Sequence, residues 1–156
     1  MYTIPAEEAH CYNLAPRLRS ADVQEILAAS GSEPLQCLLD GVTTSSPCFS
    51  IMHDDVVMGM YGVVAMGPTV GGVWLLGSQD LVTNPFRTEF IRKCRSYAAD
   101  LFTGYEILGN YVDERNALHI RWLKWMGAHF IRRVPQYGVA QLPFLEFVMI
   151  RGMTYV

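Results

Sequence analysis

The sequence predicts an α/β domain, with a mixed central sheet of about six to seven strands and helices on both faces. Three observations carry that expectation. Apolar residues alternate between strand-like runs and helical spacing along most of the chain. Asn84-Pro85 is a helix start followed by Phe86, Phe90, Cys94, Tyr97 and Leu101 at helical spacing. The block from Asn110 to Phe130 reads as strand end, helix, glycine stop and next strand. A chain of 156 residues fits one domain, taken as residues 1–156, and is long enough to bury a core without disulfides.

Each element follows from its residues. In residues 1–18 the short apolar stretch Cys11–Leu14 is read as an edge strand. Ser20 is placed as the cap of a helix running to Ser30, with Val23, Ile26 and Leu27 on one face and Gly31 as the stop. Ser32-Glu33-Pro34 restarts a short helix through Leu35, Leu38 and Leu39, with Pro34 in the first turn, where its missing N–H costs nothing. Thr43 to Pro47 is expected as a polar loop. Cys48–His53 and Val56–Met66 are strands joined by a His53-Asp54-Asp55 turn, and Val73–Leu76 is a third, buried strand. Asn84 caps and Pro85 opens the next helix, which Gly104 ends. Tyr105–Val112 is a strand. Asp113 and Glu114 stand at the positive end of the helix that follows and Arg121 and Lys124 nearer its negative end. Gly127 stops that helix. Ala128–Val134 and Leu145–Arg151 close the sheet, with Pro135–Pro143 as their loop.

Composition narrows the function classes. Hydrophobic residues make up 51% and charged residues 17%, against a typical ~25% charged. Of the twelve basic residues only Lys93 and Lys124 are lysines; arginine is favoured at interfaces and lysine depleted there. The net charge of −3 gives no basic excess for nucleic acid. No apolar run approaches the ~20 residues that span a bilayer, and the start of the chain lacks the pattern of a secretion signal. Cys11, Cys37, Cys48 and Cys94 have no CxxC spacing and are expected to be reduced thiols.

The helix before Gly127 carries two apolar sectors. Leu118, Trp122, Trp125 and Met126 form one; Ala117, Ile120 and Leu123 form the other. A surface helix normally has one apolar stripe, so this helix is expected to be covered twice: by the sheet, and by either the Pro135–Pro143 segment or a partner. Trp122, Trp125, Leu118 and Met126, with Arg92 and Arg95 on the preceding helix, are therefore the candidate interface residues. His119 lies between the sectors, as a general base or a packed histidine. His53-Asp54-Asp55 is read as a solvated turn rather than a metal site, and no metal is expected.

Asn116 and Gly127, eleven residues apart and followed by the strand-forming Ala128-His129-Phe130-Ile131, together with the element order, resemble the GCN5-related N-acetyltransferase (GNAT) family. The resemblance implies acetyl-CoA bound at a glycine-rich turn before the third helix of the fold, and a tyrosine seven residues after the asparagine as proton donor. The corresponding turn here, Gly77 to Arg87, holds no further glycine, and the tyrosine position is Leu123. Gly77, Ser78, Asn84 and Arg87 are the residues that would meet acetyl-CoA in the alternative reading; Tyr97, Tyr105 or Tyr111 would then have to donate the proton. Trp74–Leu81, Asn110–Val112 and His119–Ala128 are similar to the internal virion protein A family of short-tailed bacteriophages, over roughly residues 48–151. That resemblance implies a virion or assembly component, located in the virion and in the host cytoplasm during assembly; with the departures at Gly77–Arg87 and Leu123, no acetyl transfer and no cofactor are expected. Its partners would be other phage virion proteins, with a homo-oligomer as a further option.

Overall fold

Residues 1–153 are described by the computed structural model. Between strand β1 (Tyr2–Pro5) and strand β2 (Ser45–His53) the chain makes three helices: α1 (Glu8–Leu14), α2 (Ser20–Ala29) and α3 (Pro34–Thr44). Strands β3 (Val56–Ala65) and β4 (Val70–Gly77) follow, then helix α4 (Phe86–Leu101), strand β5 (Ile107–Asp113), helix α5 (Ala117–Trp125), and strands β6 (His129–Tyr137) and β7 (Leu142–Ile150). The seven strands form one mixed sheet in the order β1-β2-β3-β4-β5-β7-β6. The expected α/β sheet with helices on both faces is the architecture found.

Two apolar cores lie on opposite faces. One joins Cys11, Leu14, Ile26 and Leu38 of α1–α3 to Met52, Val57, Met60 and Leu76. The other joins Phe90, Cys94 and Leu101 of α4, and Leu123 and Met126 around α5, to the opposite face. The strand period of two assigns the faces, with one interruption. Ile51 pairs with Gly59 while Met52 pairs with Val57, so Met58 is an extra residue in β3. This bulge switches the alternation, and Met58 joins the α4/α5 core while Val57 and Met60 join the other.

Several expectations are corrected. Cys11–Leu14 belongs to helix α1, and the edge strand is β1, paired with β2 from Tyr2↔Met52 to Pro5↔Phe49. Cys11 and Leu14 are three apart and both fully buried, a helical spacing that four residues are too few to distinguish from a strand. Ser20 is the first helical residue of α2 rather than its side-chain cap, and Leu27 is exposed while Asp22 faces inward. Helix α3 runs through Thr44, replacing the loop expected from Thr43, with the Thr43 and Thr44 hydroxyls returned to the carbonyls of Leu39 and Asp40. Asn84 does not cap α4; Pro85 holds the cap position, after a 3₁₀ turn at Asp80–Val82. Helix α5 starts at Ala117, not Asp113. The Asp113 carboxylate accepts the Arg115 N–H at 2.9 Å, a local turn that competes with helix there.

The expected loop Pro135–Pro143 is mostly strand: β6 runs to Tyr137 and β7 begins at Leu142. Pro135 is tolerated because β6 is an edge strand. The hairpin tip packs on the end of α2, where Val139 and Ala140 donate to Ala29 and Ala28 carbonyls at 3.2 and 3.1 Å. Those carbonyls are among the orphans of a helix end. Gly138 makes the approach possible. Its φ is +66°, and a Cβ there would stand 2.5 Å from both carbonyl oxygens. The tip therefore covers α2 and not the second apolar sector of α5.

The sheet splits in its middle. Strand β4 pairs with β3 along its full length but runs parallel to β5 only from Val70↔Ile107 to Gly72↔Gly109. Beyond that point the two strands diverge. The Asn110 amide donates to the Val73 carbonyl at 2.8 Å, just where the ladder stops.

Candidate functional site

The fork between β4 and β5 opens a cleft of about 720 Å³ of empty space, partly continuous with solvent. Its walls are largely apolar, from Val73, Phe90, Tyr97, Trp122 and Phe147. Its polar groups come from Glu25, Asn110 and His119 and from the hydroxyls of Tyr61, Tyr97 and Tyr111. A neighbouring groove between α4 and α5, bordered by Ile91, Leu118 and Arg87, shares His119 and Trp122 with it.

A polar cluster spans the open end of the fork. Helix α2 supplies Asp22 and Glu25, one turn apart, and Arg19 precedes it. The Arg19 guanidinium pairs with Asp22 at 2.6 Å and donates to the Asn116 oxygen at 3.2 Å. Asp22 Oδ2 accepts the Gly77 N–H at 3.1 Å, at the end of β4. Glu25 Oε2 accepts the Asp113 N–H at 3.0 Å, at the end of β5, and the Asn116 amide at 3.2 Å. The two diverging strands are thus joined through side chains of α2. Sequence reading missed Arg19, Asp22 and Glu25; the only local signal was a polar line at spacing three along the first long helix.

The cluster shifts two titrations. Burial is the largest influence on Glu25, and the nearby Asp22 and Asp113 charges add to it. Its carboxyl is pushed up to about 7 against the lowering effect of its two hydrogen bonds. Burial likewise pushes His119 down to about 4, with Arg19 helping and Asp22 opposing. His119 keeps some accessible surface inside the cleft, yet its ring is neutral near pH 7 and a weak base there. Its ring lies 5.6 Å from the Trp122 ring.

The turn that would cradle a pyrophosphate is occupied by the protein itself. The Gly77 N–H goes to Asp22, Ser78 to the Met58 carbonyl, Gln79 to Arg17, Leu81 to Ser78, Val82 to Gln79 and Thr83 to Asp80. Ser78 is fully buried. A phosphate cradle needs several N–H groups free and convergent, and Asp80 adds an exposed carboxylate. These residues do not fit a pyrophosphate. Of the four candidate acetyl-CoA contacts, Gly77 and Arg87 border the α4/α5 groove, while Ser78 and Asn84 do not. Leu123 is 1% exposed and sits in the core. Tyr97 and Tyr111 line the cleft, and Tyr105 donates instead to the Ser46 carbonyl at 3.0 Å.

The candidate interface residues divide. Met126 is fully buried, with its sulfur 3.8 Å from Cys94, and is core rather than surface. It follows Trp122 by four but turns toward the sheet as the helix ends. Trp122 is half-buried and stacks on Phe90 at 6.1 Å. Leu118 and Trp125 are 40% and 41% exposed. Arg95 lies 4.1 Å over the Trp125 ring, and Arg92 points away from the groove by its position on α4. His53-Asp54-Asp55 forms the expected hairpin turn, with the His53 ring edge-on to Phe86. No helix among the described residues is long and apolar enough to cross a membrane.

A family model described as "Bacteriophage T7, probable scaffold protein Gp13" matches residues 54–134. No curated protein sequence matches the chain. Solved structures match over nearly its whole length. Ard1 from Thermoplasma volcanium aligns with TM-score 0.71 at 12% identity, covering 96% of each chain. Ribosomal-protein-alanine N-acetyltransferase from Brucella melitensis aligns with TM-score 0.64 at 16% identity, covering 96% of this chain and 99% of that one. An acetyltransferase of the GNAT family from Streptococcus pneumoniae aligns with TM-score 0.62 at 12% identity, covering 97% and 99%. These identities establish a shared fold only.

Proposed function

The chain belongs to the family described as Bacteriophage T7 probable scaffold protein Gp13, and on that premise we propose that it is a non-catalytic component of the phage particle or its assembly. In this reading it is an internal virion protein, made in the host cytoplasm and retained in the virion, whose work is contact with other virion proteins. The observation that carries the non-catalytic part is the internal use of the N–H groups of residues 77–79 and 81–83, where the fold would otherwise hold phosphate. The apolar Leu123 at the proton-donor position agrees with it. No cofactor is assigned.

A second reading keeps an enzyme: an acetyl-CoA-dependent N-acyltransferase. The observation in its favour is Glu25, a carboxyl held at about 7 on the wall of an open cleft. Such a group is matched to proton transfer near neutral pH. Isothermal titration of the folded chain with acetyl-CoA separates the two. The non-catalytic reading expects no heat of binding at millimolar ligand; micromolar binding overturns it. Mass spectrometry of purified particles tests the rest, and absence of this chain from both particles and assembly intermediates refutes a virion role.

A further inference from the structure

We infer that the groove between α4 and α5 docks an acidic segment of another virion protein, one that carries an apolar side chain flanked by carboxylates. This rests on the virion-component reading and names the partner's chemistry.

The groove is built from two matched helix faces. Arg87, Ile91 and Arg95 stand one turn apart on α4; Leu118, Trp122 and Trp125 do so on α5. The Trp122–Phe90 stack forms its floor. Ile91 and Leu118, both more than a third exposed, form its walls. Apolar walls of this kind suit one inserted aliphatic or aromatic side chain.

Charge selects what flanks that side chain. Helix α5 carries no acidic residue. Arg87 borders the groove, and Arg121 lies three residues after Leu118 and four before Trp125, on the same side. Among the described residues neither Arg87 nor Arg121 has a carboxylate in salt-bridge range. The Arg19 charge at the floor is matched by Asp22, and His119 is neutral. Asp22 is the only carboxylate among the described residues that line the groove, and it is held by Arg19. The balance at the rim is positive on a chain of net charge −3, so carboxylates are steered there. A nucleic acid would meet the arginines but would leave the Ile91 and Leu118 walls unused.

The test places a photo-crosslinking benzoyl-phenylalanine at Leu118 of the full chain during phage assembly, with a second at Ile131 on β6 as a reference surface. The expected product is a crosslink from Leu118 to a virion-protein peptide of net negative charge, with an apolar residue at the attachment point. Arg87→Glu and Arg121→Glu are expected to cut its yield at least tenfold without changing the thermal melt, and Arg92→Glu to leave it unchanged. Crosslinking from Leu118 to nucleic acid, to a second copy of this chain or to a neutral or basic segment overturns the inference, as does a yield unaffected by the two charge reversals. Capture of virion proteins from Ile131 but not Leu118 overturns the groove while the virion reading stands. If the chain meets no virion protein from either position and is absent from particles, that reading fails as well.

Discussion

Asp22 Oδ2 accepts the backbone N–H of Gly77 at 3.1 Å, so a carboxylate of α2 takes the first donor of the turn where the GNAT resemblance implies a phosphate. The same carboxylate pairs with Arg19 at 2.6 Å, and both side chains are buried. Asp22→Ala leaves a buried guanidinium with only the Asn116 oxygen. Loss of one partner of a buried pair costs about 3–5 kcal/mol. Chemical denaturation should register that loss. A cost below about 1 kcal/mol would mean that water readily replaces Asp22.

Glu25 and His119 make opposed contributions to stability against pH. The Glu25 carboxyl is raised from 4.5 to about 7 on folding. The folded chain therefore binds the extra proton between those values, and stability falls as pH rises through that window. His119 is lowered from 6.5 to about 4. The unfolded chain binds the extra proton there, and stability rises with pH over 4 to 6.5. Each shift corresponds to roughly 3 kcal/mol. The wild type should therefore be nearly flat between about pH 4.5 and 6.5. Glu25→Gln should reveal a rise and His119→Gln a fall, read by thermal melts in a pH series. Parallel profiles for all three proteins would refute the assignment.

Leu123→Tyr places a hydroxyl where the GNAT resemblance implies a proton donor, but puts it in a packed core. Overpacking of this kind costs about 1–3 kcal/mol. With the N–H groups around Gly77 and Thr83 still used internally, the variant should gain no acetyl-CoA turnover. A coupled thiol-release assay checks this, and measurable turnover would mean that the tyrosine was the missing element.

Trp122 and Trp125 should separate packing from contact. Trp122→Ala removes the partner of Phe90 and should cost about 3–5 kcal/mol of stability. Trp125, 41% exposed, should cost under about 1 kcal/mol when changed to Ala, yet weaken partner binding by about 2 kcal/mol. Denaturation and co-sedimentation with particle proteins read the two effects, and equal stability losses would place both tryptophans in the core.

Gly138→Ala should release the β6–β7 tip from α2. The positive φ and the two carbonyls 2.5 Å from a Cβ leave no room for a methyl group. The expected outcome is faster amide exchange at Val139 and Ala140, whose N–H groups bond to the α2 carbonyls. Unchanged protection there would show that the tip tolerates the methyl by shifting.

Local chemistry made much of the fold legible. Pro34 opens α3 as read, and Gly127, with φ of +87°, directly follows the Met126 cap of α5, whereas α4 already ends at the Phe102 cap, two residues before Gly104. The strands from Cys48 to Leu76 follow from their apolar runs. What local reading lost were choices between near-equal patterns. Cys11–Leu14 suits either element, and Pro135 reads as a loop residue until an edge strand accommodates it. The polar cluster was out of reach for a different reason. Asn116 meets Arg19, Asp22 and Glu25 from 97, 94 and 91 positions away, and no spacing rule spans such distances. Leu123 and the turn from Gly77 to Arg87 were legible as departures, because a resemblance supplies the residues they lack.

The forked ladder has a mechanical consequence. Among the described residues three register pairs, Val70 to Gly72 against Ile107 to Gly109, form the ladder that connects β1–β4 to β5, β7 and β6. The sheet is two leaves with a short spine at one end, and at the other end the side chains of Arg19, Asp22, Glu25 and Asn116 act as a clasp. How firmly that end of the leaves stays closed therefore depends on side-chain charge and proton occupancy, together with the apolar core that both leaves share.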